Sequence, residues 1–439
     1  IMQNVIKKQH TLILFALGLL LGAMLYFFPV ATGLKYAAAA AAGLLVLYNT
    51  TSGLYLLAGT LPFLPHLSLL LLAGLLTISF LFHRLRSQNL KLLPNTWEPA
   101  VVLFMSAVVV FTLTSVTPAG SMRDFSIHLL SFALFVVFIN QLENKNELYV
   151  FILCALLAAF AVSLYGLYQF MAGVPVESAW VDAAQNPTLH TRVYSIFGNP
   201  NILAEYLIML IPFGLALTWT VRDYRKKLLL LAITGTLTLT LLLTFSRGGW
   251  LGLAVGLFLF TLLRDKRVFI LLLLLLLLLA LAGAVFMPET ILQRVATIGS
   301  TKDTSNLYRF LVWKEALLII RDFWATGVGF GHLAFRKIYP FYMLNRAKFP
   351  YHVHCTYLQI LVETGVAGFL IFLWFLISIF QKGLQNLASG CSEFSKNVTI
   401  AALAATAALL TQGFAEHVLY MPKIIMLFWL NAAFIFRRQ

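Results

Sequence analysis

The sequence predicts an all-α, polytopic transmembrane helix bundle of about 12–14 spans with a large, partly helical external loop. Two observations carry this. Hydrophobic residues make up 61% and charged residues 11% of the 439, against about 45–50% and about 25% in a soluble domain. With a mean hydropathy of +0.89, the chain cannot hide its apolar surface in a water-soluble core. The second observation is the form of the apolar runs. Only helices or a closed barrel satisfy the backbone in hydrocarbon. The runs here, such as Leu271 to Phe286, last about 15–25 residues without the period-two alternation of a barrel strand.

Taken in order, the spans read as 11–30, 34–49, 52–64, 66–83, 98–117, 124–142, 148–171, 200–220, 227–245, 249–263, 268–286, 356–380, 398–415 and 422–436. The first has no small-residue cleavage site and is followed at once by more spans, so it reads as an anchor. Pro62 and Pro65 punctuate the third and fourth and mark either a short hairpin or one kinked helix. Charge supplies a check. With both termini cytoplasmic, seventeen Lys and Arg fall inside and five in the short external segments, and the other nine of the 31 lie in 287–355. That bias agrees with the positive-inside rule. A single helix through Pro62–Pro65 would put His83 to Lys91 on the wrong side.

The net charge of +15 is therefore a membrane signal: the basic residues sit in short clusters between apolar runs, where they orient helices and meet anionic headgroups. Nucleic-acid binding is not expected. Cys154, Cys355 and Cys391 have no metal-type spacing and imply no disulfide framework. The chain reads as a single membrane domain over 1–439, with a smaller external loop at 173–199 and a large one at 287–355. In the large loop, the segment from Asn306 to Trp324 interleaves Leu307, Phe310, Leu311, Ala316 and Leu317 with Arg309, Lys314, Glu315, Arg321 and Asp322. This suggests an amphipathic helix at the interface or over the bundle. Internal repeats of the transporter kind are not found.

Candidate chemistry gathers at the external edge. Arg192, Arg247 and Arg309 sit near span ends or in the long loop, and Arg suits bidentate binding of phosphate; the ordinary alternative is contact with lipid headgroups. Arg192 precedes Phe197-Gly198-Asn199-Pro200-Asn201, a turn that starts a helix. Arg247 is pinned between two apolar runs in Phe245-Ser246-Arg247-Gly248-Gly249-Trp250. The long loop ends in Tyr351-His352-Val353-His354-Cys355-Thr356-Tyr357. His352 and His354 are two apart, which makes them a poor chelating pair on a helix or strand, and no zinc set is completed around them. A histidine here is either a neutral hydrogen-bonder or a general base. Glu363, inside the next span, is a costly carboxylate that needs a partner. Gly327 to Gly331 resembles a phosphate loop but follows no strand. No external segment carries an Asp-x-Asp pair for a divalent ion, so no metal is expected, and cationic side chains would stabilise a diphosphate leaving group.

Over roughly 190–420 the chain resembles the O-antigen ligase superfamily, which includes O-antigen polymerases. The resemblance rests on the residues from Arg192 to Asn201, on Phe245 to Trp250, on Tyr308 to Trp313 with the later Gly327-Val328-Gly329-Phe330-Gly331, and on His354 followed by Gly365 in the pattern His-x10-Gly. The family's Arg-x3-Leu pattern appears as Arg192-x3-Ile196, and Cys355 stands where the family often has Asn. The resemblance implies a GT-C type glycosyltransferase of the bacterial inner membrane, its site facing the periplasm, using neither metal nor other cofactor. The implied donor is a glycan on undecaprenyl diphosphate, and the implied acceptor is a sugar of lipid A-core or, for a polymerase, another glycan. On that reading His354 is the base, supported by Glu363. Arg192, Arg247 and Arg309 bind the diphosphate, with His352, Asn199, Asn201 and Tyr357 lining the substrate site. A lipid-glycan flippase is the alternative from another class.

Overall fold

The computed structural model describes residues 30–175, 191–270, 274, 304–344 and 349–437, and among them there is no strand. Eight described helices are long and apolar enough to cross a membrane. In chain order the helices are α1 (Val30–Tyr48), α2 (Thr50–Thr60), α3 (His66–Arg86), α4 (Pro99–Leu113), α5 (Pro118–Gln141), α6 (Lys145–Met171), α7 (Pro200–Thr220), α8 (Tyr224–Leu243), α9 (Arg247–Arg264), α10 (Thr304–Asp322), α11 (His332–Ile338), α12 (Thr356–Ala388), α13 (Glu393–Gln412) and α14 (Pro422–Phe436). The expected span at 11–30 and most of that at 268–286 lie outside the described residues.

The helix starts follow from capping chemistry. Asn49, Asn144, Asn199, Asp223, Ser246 and Ser392 each cap a helix by accepting from its first backbone N–H groups. Pro99, Pro118, Pro200 and Pro422 stand at first-turn positions, where the missing N–H costs nothing. Between Pro62 and Pro65 the chain turns, so α2 and α3 are separate helices packed on one another.

α7 and α13 form the centre of the bundle, with α9 against both. A Cβ on Gly252 would meet the Ala408 carbonyl at 2.6 Å, so α9 and α13 come together at a distance that only small residues permit. α14 closes the other flank, where Trp429 stacks on Phe375 and meets Phe135 edge-on.

The described residues of 304–355 have a small core of their own, built from Val312, Ala316, Ile319, Val328, Phe335, Tyr339 and Val353, which seats on Val362 of α12. The buried face of α10 is thus Val312–Ala316–Ile319, at helical spacing. Leu307, Phe310 and Leu317, among the apolar residues noted in this amphipathic stretch, face outward. Glu315 is buried on that same inner face, where it accepts from the Tyr339 hydroxyl and, at 2.7 Å, from Leu344 N–H.

α12 is broken at Gly365, which adopts φ +62°, a conformation that glycine enters without a steric cost. The break frees the carbonyls of Val362 and Glu363, and these accept from Val328 and Gly329 N–H, each at 2.9 Å. Val366 N–H in turn donates to the Trp324 carbonyl at 2.8 Å. The glycine-rich segment is therefore a splint across the broken helix, which meets its backbone hydrogen-bonding needs.

Candidate functional site

Side chains from α7, α10 and the segment before α12 converge on one carboxylate. The chain after Arg192 is bolted down by Ser195, whose hydroxyl donates to the Val162 carbonyl at 2.7 Å and whose N–H donates to Gln169 at 2.8 Å. Val193 N–H donates to the Leu243 carbonyl at 3.0 Å, tying this loop to the turn between α8 and α9. Arg192 is buried, its Nε donating to the Thr244 carbonyl at 2.9 Å and its Nη2 to Asn201 Oδ1 at 3.3 Å. Asn201 passes the link onward, donating from Nδ2 to Glu416 Oε2 at 3.2 Å.

Glu416 lies in the connector between α13 and α14, and it is the hub of the site. Its Oε1 accepts from His354 Nδ1 at 2.8 Å and from His417 N–H at 3.2 Å. Its Oε2 also faces Arg309 Nη2 at 3.6 Å. Burial raises the Glu416 carboxyl, but the charge and hydrogen bond of His354, with His352 and Arg309, hold it well below the usual carboxylate range. The connector is fastened to the start of α12: Thr356 N–H donates to the Gly413 carbonyl at 2.8 Å, and the Thr356 hydroxyl to the Glu416 carbonyl at 3.0 Å.

His354 itself has φ +56°. Among the described residues the other non-glycine positions with positive φ are Gln88, Ser195 and Phe245. Three of the four thus lie in the loops that carry Arg192, Arg247 and His354. Strain of this kind costs about 1–3 kcal/mol per residue and clusters where a fold holds side chains for a task. At His354 it also undoes the alternation expected of residues two apart. His352 and His354 come together, ring centroids 4.4 Å apart, with His352 Nδ1 accepting from His354 N–H at 3.2 Å. Burial, followed by the His354 charge, pushes His352 well below its ordinary value. One ring nitrogen of each and a Glu416 oxygen fall within 4.8 Å of one another, so the pair read as poor for chelation becomes part of a group that could hold a cation.

Arg247 opens α9 and donates from Nη2 to Asn306 Oδ1 at 3.0 Å. Asn306 and Arg309 are three apart on α10, hence on one face. Arg309 donates to the Ser305 hydroxyl at 3.4 Å, and its Nε is buried with no partner among the described residues.

Other expected site residues lie elsewhere. Asn199 caps α7, accepting from Asn201 N–H at 2.8 Å. Tyr357 turns away, its hydroxyl donating to the Leu410 carbonyl at 2.8 Å and its ring lying on Phe414. The carboxylate on His354 is Glu416, not Glu363. From the start of α12 at Thr356 to Glu363 is seven residues, about 10 Å of helix, and Glu363 lies there, accepting from Gln359 at 2.7 Å. There it lines a cavity of about 30 Å³ with Asp124, His128, His332, His417 and Tyr420. Asp124 accepts from His332 Nδ1 at 2.6 Å and from Arg123 at 2.9 Å.

Sequence reasoning missed Glu416 and Asn306. The available signal for Glu416 was an acid beside a histidine, Glu416-His417, in a short connector between two spans of a chain with only 16 acidic residues.

Residues 229–373 match the model of a family described as O-antigen ligase. The match includes Arg247, Arg309, His352, His354 and Gly365, whereas Arg192, Asn201 and Glu416 lie outside it. No curated protein matches the chain.

Proposed function

From an O-antigen ligase domain over residues 229–373 in a multi-pass membrane protein, we propose a glycosyltransferase that moves a glycan from undecaprenyl diphosphate to a sugar of lipid A-core. It would work in the bacterial inner membrane, on the periplasmic face. The observation that carries this reading is the Glu416-held His354 beside Arg309, whose buried Nε has no partner among the described residues.

The chemistry follows from that geometry. A carboxylate on Nδ1 keeps a proton there and leaves the Nε2 lone pair to act as base. Nε2 takes the acceptor hydroxyl proton as the oxygen attacks the anomeric carbon. The bond from that carbon to the diphosphate breaks on the opposite face, so a single displacement inverts the configuration. Charge develops on the departing diphosphate, where Arg309, Arg247 and Arg192 stabilise it in place of a metal. Asn201 and Asn306 orient two of these guanidinium groups, and Glu416 positions the base.

Incubation of the purified protein with lipid-linked glycan tests the assignment. Product that forms only when lipid A-core is added is expected. A ladder of longer glycans without core would make the protein a polymerase of the same superfamily. No transfer with either acceptor would overturn the enzymatic reading.

A further inference from the structure

We propose that His352, His354 and Glu416 form a zinc-binding site whose occupation switches transfer off. One ring nitrogen of each histidine and one carboxylate oxygen lie within 4.8 Å of one another. His354 is 2.8 Å and His352 3.7 Å from the same Oε1. Zinc bound to nitrogen or oxygen at about 2.0–2.2 Å places tetrahedral ligands about 3.3–3.6 Å apart. The distances on either side of that range are reconciled by small ring rotations. Two imidazoles and one carboxylate suit zinc better than magnesium or calcium, which take oxygen ligands. They also leave a fourth position for water. The side chains are 11%, 24% and 12% exposed, buried enough to be held and open enough for an ion to enter. Glu416 Oε2 stays with Asn201 and Arg309, which keeps the carboxylate oriented while Oε1 binds the ion.

The switch follows from proton bookkeeping on one ring. His354 donates through Nδ1 to Glu416; zinc replaces that proton, which moves to Nε2. The ring neither gains nor loses a proton overall, yet Nε2 no longer has a lone pair with which to accept one from an acceptor hydroxyl. His352 gives up only the hydrogen bond it accepts from His354 N–H. This silencing rests on the reading of His354 as the base, whereas zinc binding by the three side chains does not.

Calorimetric titration of the purified, detergent-solubilised protein with zinc alone tests the site, and glycan transfer with and without a chelator tests the switch. One zinc per chain is expected. His352→Gln and Glu416→Gln should each weaken binding by more than the roughly 100-fold that an outer hydrogen-bonding partner costs. His417→Gln, next in sequence but offering no ligand, should leave it intact. Thermal unfolding of each variant separates lost ligation from lost fold. Absence of a one-to-one site, or its survival in both ligand variants, overturns the proposal. Zinc bound at the site with transfer undiminished overturns the switch and removes Nε2 of His354 from the mechanism. Absence of transfer in the metal-free protein, when the titration still shows the one-to-one zinc site, would instead count against the enzymatic reading alone.

Discussion

His354 Nδ1 lies 2.8 Å from Oε1 of Glu416, a carboxylate 62 residues further along the chain. Each side chain reaches the other from a different connector, and the Thr356 hydroxyl donates to the Glu416 carbonyl at 3.0 Å, pinning the two connectors together. The contact engages Nδ1 of His354, which on the proposed mechanism leaves Nε2 as the base.

Glu416→Gln removes the charge while keeping the shape. A positioned base contributes about 10²–10⁴-fold to a proton-transfer step, so the transfer rate is expected to fall by at least about 10²-fold. Initial rates at saturating donor, with a melting curve for the variant, check this. A variant with wild-type turnover would show that the carboxylate is dispensable.

His354→Asn separates backbone from base. Asn tolerates the left-handed region that His354 occupies at φ +56°, so the loop should keep its course and the unfolding midpoint should move little. Transfer should be lost, as it should in His354→Ala. A fully active Asn variant would falsify the role of His354 in the mechanism.

Arg309 is expected to resist conservative exchange. Arg309→Lys keeps a positive charge but loses the planar fork that binds two phosphate oxygens together. Hydrogen bonds to charged groups are worth about 1.5–3 kcal/mol. Arg309→Ala should therefore lower kcat/KM by about 10–100-fold, with Lys recovering only part of the loss. Rates over a series of donor concentrations give both values, and full rescue by Lys would reduce Arg309 to a simple point charge.

Gly365→Ala probes the splinted break in α12. A Cβ there would meet the Trp324 carbonyl oxygen at 2.7 Å, on a backbone at φ +62°. A cost of about 1–3 kcal/mol is expected, seen as a lower unfolding midpoint in detergent. Gly74→Ala, within α3 and with open space around its Cβ, is the control and should be neutral or stabilising by about 0.4–1 kcal/mol. Equal midpoints for the two variants would refute the strain at Gly365.

The architecture was legible wherever one physical rule governs a stretch of chain. Apolar length marked the helices, and the pair Pro62 and Pro65 marked the break between α2 and α3. At the candidate site, Arg192, Arg247, Arg309 and His354 stood out because a charged or titratable side chain beside a span is costly enough to be noticed. Their arrangement was not legible, because it depends on which connectors meet in space. Glu363 was paired with His354 for being near in sequence, yet a helix carries it deeper with every residue. Glu416 is far away in sequence and adjacent in space. The histidine pair misled for a related reason: regular periodicity sends residues two apart in different directions, and the left-handed backbone of His354 brings them back together. The face of α10 was read from the larger residues, whereas packing chose the tighter row from Val312 to Ile319.

The position of Glu416 in the connector between α13 and α14 also orders events during synthesis. Arg192, Arg247, Arg309 and His354 are all translated before it. A nascent chain halted short of that connector has its guanidinium groups and its imidazole, but not the carboxylate that accepts from His354 Nδ1. On the proposed mechanism, the base is therefore set only after the connector between α13 and α14 has been made.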